Sequence, residues 1–63
     1  MSVKFKMFSG RYDHSNYTFP VIGEVNNFIE TVSVRDVRTE KIKIDSGVEV
    51  LVITIVYAEK VNG

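Results

Sequence analysis

The chain has 63 residues, no cysteine, a single histidine, and eight Lys/Arg balanced by eight Asp/Glu. This composition excludes disulfides, thiolate metal sites and a multi-histidine metal centre. A net charge of zero gives no bulk attraction to duplex nucleic acid or to an anionic membrane.

One domain, residues 1–63, is expected. A domain of this size buries only about 60% of its unfolded surface and commonly depends on disulfides, a metal or self-association. With the first two gone, self-association is the remedy left, and zero net charge does little to oppose it. No apolar run approaches the roughly 20 residues of a membrane span. Met1 to Ser9 lacks the continuous apolar core of a signal peptide, because Lys4 and Lys6 interrupt it. A cytoplasmic protein without metal or cofactor is the expectation.

Ser2 to Ser9 alternates, with Val3, Phe5 and Met7 on one side and Lys4 and Lys6 on the other. The pattern predicts a strand with one solvated side, and Phe8 ends it on the lysine side. Gly10 to Phe19 reads as a loop, long for so small a domain. Pro20 suits the first turn of a helix. Val21, Ile22, Val25, Phe28, Ile29 and Val32 then recur at three- and four-residue steps, the spacing of an amphipathic helix of about three turns. Gly23 inside it costs about 1 kcal/mol against alanine, so packing must hold the helix.

Ser33 to Ile44 predicts a second strand with a broken pattern. Val34, Ile42 and Ile44 share one parity and Val37 has the other. The pattern predicts either a bulge near Arg38 to Lys41 or a polar edge in the first half. Asp45-Ser46-Gly47 is a hairpin turn with Gly47 free to take positive φ. The third strand runs from Val48 to about Lys60, and Val61, Asn62 and Gly63 are expected to fray.

The third strand is apolar on both sides: Val50, Val52, Thr54, Val56 and Ala58 point one way, and Leu51, Ile53, Ile55 and Tyr57 the other. It therefore belongs in the middle. A right-handed crossover makes strands one and two parallel, and strand three fits between them, antiparallel to both. The expected fold is α+β, β-α-β-β, with a three-stranded sheet in the order 1-3-2 and one helix on one face. A single short helix roofs one face only. Val50, Val52 and Val56 left wet would each forgo roughly 1.5–3 kcal/mol. Together with Phe8 they are the expected oligomer interface.

Four segments carry a resemblance: Lys4-Phe5-Lys6-Met7-Phe8, Val25-Asn26-Asn27-Phe28-Ile29, Val34-Arg35-Asp36-Val37 and Ile53-Thr54-Ile55-Val56-Tyr57. Together they resemble the small Cse-type sporulation proteins of bacilli, which have relatives in phages and prophages. The loop from Gly10 to Phe19 is longer than that pattern. The resemblance implies a bacterial or phage origin and a non-enzymatic role, and it transfers no functional residue.

Arg11, Tyr12, Asp13, His14, Asn16 and Tyr17 form the densest set of recognition-type side chains. Tyrosines stack on a base or ring, and arginine takes phosphate with two bonds. Asp13 beside His14 suggests acid–base chemistry only on paper, since adjacent side chains rarely aim at one atom. Arg35 and Arg38, with Lys41 and Lys43, make a short basic stripe in strand two, compensated by Asp36 and Glu40. That stripe is too short for duplex nucleic acid.

The function expected is a small, non-catalytic, homo-oligomeric binding protein. It would capture a nucleotide-type signalling ligand at subunit boundaries through Arg11, Tyr12, His14, Asn16, Tyr17, Arg35 and Arg38. The alternative is a protein–protein interaction module, either a phage inhibitor of a host protein or a spore-associated structural protein.

Overall fold

The computed structural model describes residues 2–60, so the expected fraying of Val61 to Gly63 lies outside the described residues. Strand β1 spans Lys4–Arg11, helix α1 Val21–Ile29, strand β2 Val32–Ile44 and strand β3 Val48–Glu59, with a short 3-10 turn at Asp45–Gly47. The sheet order is β1-β3-β2, with β3 antiparallel to both neighbours. The doubly apolar strand is central, as its composition requires.

The helix covers the Leu51, Ile53, Ile55 and Tyr57 side of β3. Val21, Val25, Ile53 and Ile55 are the buried core, and Phe8, Phe19, Phe28, Ile29, Leu51 and Tyr57 pack around them. Aromatic edges tie the layers together: Phe28 meets Phe8 at 5.4 Å and Tyr57 at 5.0 Å between ring centroids. The helix is shorter than its apolar pattern suggested. Its chain leaves at Glu30, and Val32 is the first residue of β2, buried there rather than on the helix. The last turn is closed by the Thr31 N–H and hydroxyl, which both donate to the Phe28 carbonyl, while the Lys60 ammonium donates to the Glu30 carbonyl.

Two expectations about the strands need correction. The first strand lies two residues further along, and it is turned differently from a simple apolar-in reading. Lys4, Lys6, Phe8 and Gly10 pair with Tyr57, Ile55, Ile53 and Leu51, so they share the helix side. Val3, Phe5 and Met7, on the other parity, are 60%, 69% and 61% exposed. The apolar parity is therefore solvated, and Lys4 and Lys6 on the other parity are exposed as well. Lys6 fits on the helix side because its ammonium lies over aromatic rings, 4.9 Å from the Phe28 centroid and 5.3 Å from that of Phe8.

The second correction concerns the bulge, which falls between Val34 and Asp36 and leaves Arg35 without a cross-strand partner. It is not near Arg38 to Lys41. Its effect is to switch parity. Val34 and Val37 pair with Tyr57 and Ile55 and share the helix side, while Asp36, Arg38, Glu40, Ile42 and Ile44 turn to the opposite face. The Asp36 carboxylate stabilises the kink by accepting the Val37 N–H at 3.0 Å and the Arg38 Nε–H at 3.2 Å.

The molecule is a thin slab, 48 × 19 × 10 Å along its principal axes. Its accessible surface is 4840 Å². A compact monomer of 7.2 kDa exposes about 4,100 Å².

Candidate functional site

The helix-free side of the sheet carries the exposed Phe5 and Met7. The register defines its rows. Phe5, Val56 and Asp36 lie across one row; Met7, Thr54 and Arg38 across the next; then Ser9, Val52 and Glu40; then Arg11, Val50 and Ile42. The β1 margin is apolar at one end and cationic at the other. The centre is valine and threonine. The β2 margin alternates acid, base and acid before ending in Ile42 and Ile44. Met7, Arg38, Thr39, Glu40, Val52 and Thr54 line a shallow depression of about 330 Å³ at its middle. A wider hollow of about 670 Å³ at the hairpin tip is lined by Lys43, Ile44, Asp45 and Gly47, residues of one hairpin that enclose nothing.

Val50, Val52 and Val56 are half-buried, and the helix packs on the other side of β3, against Ile53 and Ile55. Ala58, the small end of that row, is buried. Phe8, grouped with these valines from the sequence, is on the opposite face and packs into the core against Phe28. Phe5 and Met7, not counted in the interface expected from sequence, share the valines' face, as do Ile42 and Ile44.

The loop between β1 and α1 is built by its own side chains. The Asp13 carboxylate accepts the Ser15 N–H at 2.9 Å, the Asn16 N–H at 3.4 Å and the Asn16 side-chain amide at 2.9 Å. Asp13 and Thr18 also exchange backbone hydrogen bonds. These donors hold the Asp13 carboxyl below its ordinary value of 3.8, the Asn16 amide contributing most. Asn16 is therefore engaged in shaping the loop.

Tyr12 stacks edge-on against Phe19 at 5.1 Å and His14 at 4.9 Å. Phe19 touches the core, so Tyr12 caps the end of the helix layer. Tyr17, at φ 55°, is 82% exposed and presents its ring to solvent. Arg11 stands at the foot of this loop, in the last row of the open face.

The sequence-predicted ligand set is thus divided. Arg11 and Arg38 share the open face, two rows apart. Tyr12 and His14 form an aromatic cap, Asn16 braces the loop, Tyr17 is free, and Arg35 sits at the bulge. No group of three His, Asp or Glu among the described residues is arranged to hold a metal ion. No helix among them is long and apolar enough to cross a membrane. Comparisons with protein-family models, with curated proteins and with solved structures return no match.

Proposed function

We propose that the protein is a non-catalytic binding protein that works as a homo-oligomer, its copies joined through the helix-free face of the sheet. The observation that carries this reading is the exposure of Val3, Phe5 and Met7 beside the half-covered valines of β3. Covering those three side chains at their observed exposures is worth about 1–2 kcal/mol each. The molecule's surface exceeds that of a compact monomer by roughly 700 Å², near the ~800 Å² that each partner contributes to a standard interface.

The edges of the sheet suit association less well. β2 is bulged and charged along its length, and β1 carries Lys4 and Lys6. Face-to-face packing leaves both edges free.

The ligand class we propose is a small nucleotide-type molecule held at the margin of the shared face. Arg11 offers a planar pair of donors for phosphate, and the exposed Tyr17 ring on the adjoining loop offers a stacking surface for a base. A thermal-shift panel of cyclic and linear nucleotides tests this. At 100 times its dissociation constant, a true ligand adds about 2.7 kcal/mol of stability. A flat response to the whole panel contradicts the ligand assignment.

The same apolar face supports a second reading, an interaction module that docks on another protein. One stoichiometric protein partner, with no response to nucleotides, favours that reading.

A further inference from the structure

We propose that two copies pack face to face about a two-fold axis that runs across the strands, between the Thr54 row and the Val52 row. This rests on the self-association argued above and specifies its geometry. A two-fold that joins two sheet faces lies in the plane between them, and when the strands of the two copies pack roughly in line it runs close to along the strands or close to across them. Along the strands, it sets β1 of one copy over β2 of the other, so Phe5 faces Asp36 and Met7 faces Arg38. That buries charges against apolar side chains without partners.

Across the strands, β1 lies over β1, β3 over β3 and β2 over β2, each reversed. With the axis between the Thr54 and Val52 rows, the register pairs the two charges at the centre of the face with their opposites. Arg38 meets Glu40 of the second copy, and Glu40 meets its Arg38. Val52 meets Thr54, Val50 meets Val56, Met7 meets Ser9, and Phe5 lies over Arg11, where a guanidinium stacks on an aromatic ring. Asp36 lies over Ile42, one acid against an apolar side chain, but keeps its in-chain bonds to the Val37 N–H and the Arg38 Nε–H. The 330 Å³ depression, lined by Arg38, Glu40, Val52 and Thr54, sits on that axis. Arg38 is able to serve, since Asp36, its partner among the described residues, engages only Nε and the side chain is exposed. Arg11 stacked in this way keeps its N–H edges at the interface margin, next to the loop that carries Tyr17.

The test is charge reversal with complementation in trans. Arg38→Glu places two acids opposite two acids in its own dimer, and Glu40→Arg places two bases opposite two bases. Each variant alone should self-associate roughly tenfold more weakly than the parent chain, or worse. An equimolar mixture should recover the parent's mass by light scattering, because every contact is again acid against base. Circular dichroism checks that each variant folds.

If either variant fails to fold, cysteines report the same geometry, since the chain has none of its own. Sheets stack about 10 Å apart, beyond disulfide reach, so a short bismaleimide is the linker. A mixture of Val50→Cys and Val56→Cys should cross-link between copies. Val56→Cys alone should not, because its two copies stand ~20 Å apart across six residues. Full association of both reversed variants, failure of the mixture to recover, or ready cross-linking of Val56→Cys alone would each overturn the proposed axis while leaving self-association standing. A monomeric parent chain would remove self-association as well.

Discussion

Gly10 and Val21 set how closely the helix lies on the sheet: a Cβ placed on Gly10 would come within 2.8 Å of the Val21 Cβ. Gly10 is the helix-side residue paired with Leu51, and Val21 is the first residue of α1 and almost fully buried. The close approach lets a helix of nine residues seal the Leu51 end of the core.

Gly10→Ala should therefore destabilise the fold by about 1–3 kcal/mol, as overpacking does when backbone must move. Gly23→Ala should do the opposite. Nothing lies within 4 Å of a Cβ there, and the residue is helical and exposed. A gain of about 0.5–1 kcal/mol is expected. Paired denaturation curves check both. Equal and small effects at the two glycines would contradict the close packing.

The two faces of β3 should respond differently to truncation. Ile55 is completely buried beneath the helix, so Ile55→Ala should cost about 2–5 kcal/mol and leave little of a domain this small folded. Phe5→Ser and Met7→Ser remove side chains that touch no helix. They should leave the circular dichroism spectrum intact while reducing the mass in solution. Loss of fold in both sets would mean that the open face serves the subunit core instead.

The loop brace has a definite pH dependence. Asp13 is held below 3.8 in the folded chain, chiefly by the Asn16 amide and then by the Ser15 N–H. Its contribution is complete above the ordinary carboxyl range and is lost as pH falls through the depressed value. Carboxyl titration followed by NMR should place Asp13 under 3.8, and Asn16→Ala should move it upward. A midpoint at or above 3.8 in the parent chain contradicts the bracing.

Much of the architecture was legible because β3 is apolar on both parities, which forces it to the middle of a three-stranded sheet. Alternation alone does not say which parity meets the helix. In β1 it misled, because Lys6 lies on the helix side with its ammonium over Phe28, where an apolar residue is the usual choice. The bulge was visible as a parity conflict between Val34 and Val37. Its position at Arg35 was not, because the switch is fixed by where Asp36 can accept the Val37 N–H. At the loop, the side chains read as recognition residues proved to have structural partners in Tyr12, His14 and Asn16. Ring stacking and an Asp13 brace depend on the folded path of the chain, which residue types do not encode. Ser46, at φ 66°, shares the hairpin turn with Gly47, at φ 81°, although only the glycine announced it.

The central claim is that a second copy covers the open face of the sheet. Light scattering of the purified chain over a concentration series tests it most directly. The account predicts a mass of at least twice 7.2 kDa that falls toward the single-chain value on dilution or with Phe5→Ser. A mass of 7.2 kDa at every concentration up to the solubility limit would contradict it.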